Sequence, residues 1–249
     1  MTYLSSNRRM VQRQSGFTMI ELMVALLIGL FLMGGLMTLL QNNRKAFSSQ
    51  SLLGQLQDSE RLAMTMMSGV IQQSGYFPDP TLNSPSTSLP AVGTTFAAGQ
   101  GLYGSTTAGS DTIIARYATA PGDGILNCRG TSNPATSVTN AIYSNAFSIA
   151  VTGGVSQLVC TDQGGNVYPL VNGVTKLQVL YGVSTSATNT TNVDTYMTAA
   201  QVTAATAWNN VISAKVTLTF TNPLYVSTNV QGQPPTILVQ RYITIMRQT

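Results

Sequence analysis

From Phe17 to Leu40 the chain is almost continuously apolar, and Glu21 is its one charged side chain there. Wound as a helix at about 1.5 Å per residue, this run covers a hydrocarbon core of roughly 30 Å. Beyond Leu40 the pattern becomes amphipathic. Leu52, Leu53, Leu56, Ala63, Met66, Met67 and Val70 recur at three- and four-residue steps, with Gln55, Gln57, Asp58, Glu60 and Arg61 between them. No proline interrupts residues 17–74, Gly75 is a stop signal, and Pro78 follows. The pattern predicts one helix over 17–74, roughly 85 Å long at about 1.5 Å per residue, with its first half spanning a membrane to about residue 40. Gly34-Gly35 can bend it or let another helix pack closely.

Residues 78–110 are rich in Pro, Ser, Thr, Gly and Ala and predict a long surface connection with little regular structure. Strand signals follow at 112–117, at 146–151 and 157–160 as a hairpin around Gly153-Gly154, and at 167–171, where Pro169 marks an edge or a break. Leu177, Val179 and Tyr181 share one face of a further strand. Thr198 is an N-cap signal for a short helix over 199–208. Val216, Leu218 and Phe220 face inward in a strand over 214–220, and the last strand covers 236–246 after Gly232 and Pro234-Pro235. The expected fold is α+β: a long N-terminal helix packed on a mostly antiparallel β-sheet.

Glu21 is anomalous for a plain anchor, since a charge in the bilayer interior costs about 2.5–3.5 kcal/mol on insertion scales and marks function by default. Arg8, Arg9 and Arg13 precede the apolar run, followed by Gln14-Ser15-Gly16. A secretory signal peptide has a shorter apolar region with a small-residue cleavage site after it; here the small residue Gly16 comes before the run. The contiguous stretch Gly16-Phe17-Thr18-Met19-Ile20-Glu21-Leu22 resembles the class III signal of type IV pilins and pseudopilins. The resemblance implies cleavage after Gly16 by a prepilin peptidase on the cytoplasmic side and N-methylation of the new terminus at Phe17. It makes 1–16 the leader, 17–74 the long helix, 75–249 a periplasmic pilin-type β domain, and Glu21 the family's acidic residue, with a role in assembly or in peptidase recognition. Met10 is an in-frame alternative start with the same mature product.

The second half resembles PilW-type minor pilins, on the stretch 170–182 and on Thr198-Ala199-Ala200-Gln201-Val202 followed by Trp208-Asn209-Asn210-Val211. This implies a subunit of a tip-located minor-pilin complex that primes type IV pilus assembly and supports twitching motility, adhesion or DNA uptake. The implied partners are the prepilin peptidase, other minor pilins, the major pilin and a tip adhesin. The implied location is the inner membrane, single-pass with a periplasmic C-terminal domain, and then the pilus at the cell surface. A J-type pseudopilin of type II secretion shares the architecture, and a membrane-anchored periplasmic enzyme is the rival of a different class. In pilins the segment after the long helix often makes subunit contacts, so 78–110 is either such a contact or a loop without a partner.

Composition changes the picture in three ways. Charged residues are only 8% of the chain, against about 25% in a typical soluble domain, which suits a subunit packed among its relatives. The formal charge of +4 falls to +1 once Arg8, Arg9 and Arg13 leave with the leader, and only Arg44-Lys45 remains as a basic pair, so no nucleic-acid face is evident. Cys128 and Cys160 are the two cysteines; outside the cytoplasm a disulfide is favoured over two buried thiols. No histidine is present, so the usual triads and general bases are absent, and neither a metal site nor a cofactor is expected. The stretch Asp162-Gln163-Gly164-Gly165-Asn166 lacks the Gly-Lys-Ser/Thr ending of a phosphate loop and suits a hairpin turn. Ser184 to Asn192 lacks the carboxylates of a calcium loop, and Trp208 suits a core or helix anchor. No catalytic site is expected.

Overall fold

The computed structural model describes residues 16–186, 192–225 and 232–246. The leader residues Arg8, Met10, Arg9 and Arg13 lie outside the described residues, as do 187–191 of the expected Ser/Thr/Asn-rich turn. The chain forms two compact units, 1–51 and 52–249. Helix α1, Met19–Gln72, supplies the described helical residues of the first unit and opens the second. Within the first unit its backbone stays helical through Gly34 and Gly35, and the Thr38 hydroxyl donates to the Gly34 carbonyl at 2.9 Å.

The second unit begins with the amphipathic part of α1. Ala63, Met64, Met67, Val70 and Ile71 are buried, while Gln55, Gln57, Asp58 and Arg61 face solvent. Glu60 is half-buried, although the pattern placed it outward. Gly75 ends the run with φ +82°, a left-handed backbone that suits glycine, and donates its N–H to the Arg116 carbonyl at 2.9 Å.

Among the described residues nine strands follow, in two sheets rather than the one expected, and every pairing is antiparallel. The first holds β1 (Leu102–Thr107), β2 (Ser110–Thr119), β3 (Ala141–Thr152), β4 (Val155–Thr161) and β5 (Val167–Asn172) in sequence order. The second runs β7-β6-β8-β9, from β6 (Val174–Val183), β7 (Thr195–Met197), β8 (Val211–Thr221) and β9 (Thr236–Thr244). Gly153 and Gly154 both take positive φ, as a two-residue hairpin between β3 and β4 requires.

Alternation decides which side chains enter the core. Leu177, Val179 and Tyr181 on β6 and Val216, Leu218 and Phe220 on β8 are all buried, as their period of two predicts. They form one cluster with the α1 residues above and with Ile113, Ala115, Tyr117 and Phe147 of the first sheet. Side chains of β2 stitch the first sheet to β6, with which no strand of that sheet pairs. Asp111 accepts the Val179 N–H at 2.7 Å and Ser110 accepts the Leu177 N–H at 3.1 Å.

Residues 78–110 are more ordered than their composition suggests. They contain a one-turn helix, α2 (Pro85–Ser88), capped by Ser84, and all of β1. Leu89 and Phe96 are buried, with Leu89 packed in a small cluster with Phe77 and Ala118. Scattered apolar residues, without any period, pin this segment over β2. The helix expected over 199–208 is shorter: α3 (Ala199–Ala204) starts at the Thr198–Gln201 capping box, Thr206 takes φ +49°, and Trp208–Asn210 form a separate 3-10 turn.

Close backbone approach gives a stability prediction. A Cβ on Gly101 would overlap the backbone of Ser74 and Gly75, whereas one on the exposed helical Gly69 meets open space. Gly101→Ala should lower stability by roughly 1–3 kcal/mol, and Gly69→Ala should raise it by about 0.5–1 kcal/mol. Thermal unfolding of the detergent-solubilised protein, followed by near-UV circular dichroism, reads both.

Candidate functional site

The charged start of the apolar helix is the first candidate. Thr18 and Glu21 stand in the N-cap and N3 positions of a helix-opening pair. The Thr18 backbone N–H and the Thr18 hydroxyl both lie 3.4 Å from Glu21 Oε2, donating to it. The carboxylate is therefore folded back toward the N-terminus, one residue from Phe17. It also lies in the first turn, where the helix dipole favours negative charge. Gly16 lies outside the helix, with nothing within 4 Å of the position a Cβ would take. Phe17 is 85% exposed.

The apolar side chains that follow have no cover in this chain. Phe17, Ile20, Leu26, Phe31, Leu36 and Leu40 are all exposed, and none of the most apolar window of α1 is buried. A contiguous apolar surface of this size marks a membrane or protein contact. Among the described residues α1 is the one helix long and apolar enough to cross a membrane.

The second candidate is the cysteine pair. Cys128 and Cys160 are bonded to each other, both buried, linking the loop after β2 to β4. Asn145 on β3 sits between these segments and accepts the Cys128 N–H at 2.9 Å. Next to the bridge, Asp162 Oδ1 accepts N–H groups from Gly164 at 2.9 Å and from Asn166 at 3.0 Å, and Arg129 lies 3.7 Å from its other oxygen. Burial opposes ionisation of this carboxyl, but the Asn166 and Gly164 hydrogen bonds and Arg129 outweigh it, so its pKa lies below the usual carboxylate value. The 162–166 stretch is thus a self-satisfied hairpin turn. Asp194 behaves alike. It accepts from the Thr185 N–H at 2.7 Å, the Thr185 hydroxyl at 3.0 Å and the Ser186 N–H at 3.2 Å, and these bonds lower its pKa.

One cavity of about 280 Å³ is lined by Ser74, Gly75, Gly101, Trp208, Asn209 and Ile245, among others, with no titratable side chain. Trp208 packs edge-on to Tyr181 at 4.9 Å and donates its indole N–H to Thr203 at 3.1 Å, an anchoring role. Among the described residues no three His, Cys, Asp or Glu side chains are grouped to hold a metal.

Arg116 is the residue that sequence reasoning missed. Only 2% exposed, it lies 5.0 Å from the Phe96 ring and donates to the Pro90 carbonyl, while its Nε and Nη1 have no protein partner. Burial pushes its pKa down. A lone arginine in a strand that reads apolar was the one available signal.

Residues 11–37 match the family model of the prokaryotic N-terminal methylation motif, and 146–247 match that of the type IV pilus-assembly protein W. The first takes in Gly16 to Glu21; the second runs from within β3 past the end of β9. A type IV-like pilin from Thermus thermophilus is similar in structure at 12% identity and TM-score 0.40, over 76% of this chain and 95% of that one. No curated protein matches in sequence.

The bridge should matter to stability. Cys128→Ser with Cys160→Ser should cost roughly 3–4 kcal/mol by the chain-entropy model, read as a lower denaturant midpoint. Non-reduced peptide mass spectrometry of the wild type should give the linked pair; two alkylatable thiols would contradict it.

Proposed function

We propose that this chain, which belongs to the type IV pilin superfamily as a PilW-type minor pilin, is cleaved after Gly16, methylated at Phe17 and assembled at the pilus tip with other minor pilins. There the complex primes pilus assembly and rests on the major pilin, supporting twitching motility, adhesion or DNA uptake. The observation that carries this reading is the carboxylate of Glu21, turned back toward Phe17 at the head of a helix whose apolar first half is exposed.

The chemistry is one of pairing. Cleavage after Gly16 frees an amine at Phe17, and an amine is the natural partner for a carboxylate in an apolar surround. An unpaired charge there is costly and a paired one much less so. Glu21 can meet the amine of its own chain or that of a neighbouring subunit. In the second case the pair draws the incoming helix into register, and Glu21 places this subunit beneath another. The disulfide fits a periplasmic domain, because such bridges persist in oxidising compartments. The scattered, self-satisfied carboxylates and the absence of histidine fit a structural subunit over an enzyme.

Two substitutions test the two ends of this mechanism. Gly16→Val should leave unprocessed precursor in the inner membrane, because a peptidase pocket shaped for glycine has no room for a branched side chain. Normal maturation on an immunoblot would refute the cleavage assignment. Glu21→Ala should be cleaved normally but enter sheared pili poorly and lower pilus number. An uncleaved precursor would instead give Glu21 a role in peptidase recognition, and normal incorporation would defeat the pairing.

A further inference from the structure

The charges of α1 stand at the two ends of a bare apolar run. Glu21 lies at one end; the next ionisable side chains in the sequence are Arg44 and Lys45, and after them Asp58. Arg61 has Asp58 3.9 Å away, three residues back on the helix. Arg44 and Lys45 have no such neighbour. The positions three and four residues from either hold Leu40, Gln41, Asn42, Phe47, Ser48 and Ser49, none of them acidic. Both cations are exposed, and among the described residues neither is in an ion pair.

Polar groups within the run are satisfied inside the helix. Thr18 donates to Glu21, and the Thr38 hydroxyl donates to the Gly34 carbonyl. The band just past the run is different. The amides of Gln41, Asn42 and Asn43 and the two cations are exposed, and the Phe47 ring is 74% exposed beside them. Basic side chains placed directly after an apolar run lay their stems along it and extend their charged ends to the headgroup layer of a bilayer.

Spacing points the same way. Arg44 is 23 residues beyond Glu21 on one unbroken helix, which is about 35 Å at about 1.5 Å per residue. The hydrocarbon core is about 30 Å thick, and headgroups extend the bilayer to about 40–45 Å. With Glu21 at one face of the core, the Arg44 backbone lies about 5 Å beyond the other, at the level of the lipid phosphates.

We infer that Arg44 and Lys45 bind the phosphate groups of anionic phospholipids in the headgroup layer where the apolar run ends. The inference rests on the membrane-spanning reading of 17–40. The Arg44 guanidinium donates to two phosphate oxygens at once, and the Lys45 ammonium adds a compact second charge. A lipid with net negative charge is selected because a zwitterionic headgroup sets its own cation beside the phosphate and repels the pair. Position favours lipid over a carboxylate from a second copy. The acids nearest to Arg44 in the sequence, Glu21 and Asp58, are 23 and 14 residues away, so a copy in the same register brings none to it.

The test uses the full chain in lipid vesicles, with Phe47→Trp as reporter and the chain without that substitution, which keeps Trp208, as background. Phosphatidylglycerol and phosphatidylcholine, each carrying a spin-label quencher high on the acyl chain, compete for the reporter. Phosphatidylglycerol should bind at least threefold better. Arg44→Gln with Lys45→Gln should bring the ratio to about one while phosphatidylcholine still quenches. Equal affinity before that double substitution, as a pair that serves a protein carboxylate would give, would overturn the inference. So would a preference that survives the substitution. Loss of the preference to inorganic phosphate at matched ionic strength would assign the pair to a free anion and overturn it too. If neither lipid quenches, the membrane-spanning reading fails and the inference with it.

Discussion

One carboxylate in an apolar helix sets the terms for this molecule. Between Phe17 and Leu40 every other side chain lacks charge, so Glu21 dominates the electrostatics of that stretch. In the isolated chain it is satisfied cheaply, by the N–H and hydroxyl of Thr18 and by the first-turn dipole. That arrangement turns the carboxylate toward the N-terminal end of the helix. On the proposed cleavage after Gly16, the new amine at Phe17 is its pairing partner, and maturation and assembly are then tied through a single charge.

The rest of the fold serves to carry that helix. α1 changes character along its length because its neighbours change. Before Ser51 its apolar side chains surround the whole helix and are exposed; after Leu52 they form a stripe ending in Ala63, Met64, Met67, Val70 and Ile71, which the sheets bury. A stripe needs a flat apolar partner, and the inward positions of β2, β6 and β8 provide one. The sheets are held to each other by Asp111 and Ser110, which bond backbone N–H groups of β6 on the side away from β8. Cys128–Cys160 and Asn145 fix the loop after β2 to β3 and β4 in the same way, by links that do not depend on a large core.

Much of this was legible in the sequence because periodicity reports the environment of each side chain. The long helix, the β3–β4 hairpin turn at Gly153-Gly154, and the inward sets on β6 and β8 all follow from spacing alone. The proposed N-terminal site rests on local sequence alone, since Gly16, Phe17 and Glu21 fall within one short stretch; the structure adds the Thr18–Glu21 contact at the helix start. Failures came where long-range contacts decide. The segment over 78–110 has no apolar period, so nothing local reveals that Leu89 and Phe96 are buried over β2. The division into two sheets depends on which edges meet, and strand pattern does not encode that. The 199–208 helix stops early because Thr206 takes a left-handed backbone between α3 and the Trp208 turn, a strain that the sequence does not signal.

Edge strands show how far this separation of local and global information goes. β5 and β9 are both edges, and only β5 carries the mark in its own residues, Pro169. β9 reads as an ordinary interior strand: long, apolar at alternate positions, free of breakers. Its place at the edge comes from topology, since β8 lies between β6 and β9 and no described strand follows. A monomer that had to stay alone in solution would be expected to charge, shorten or bend such an edge. Low charge, an uncovered apolar helix and one unprotected edge strand are three separate departures from the surface of a solitary protein. Each is costly for a free subunit and harmless for a buried one, so together they describe a chain whose surface is completed by its neighbours.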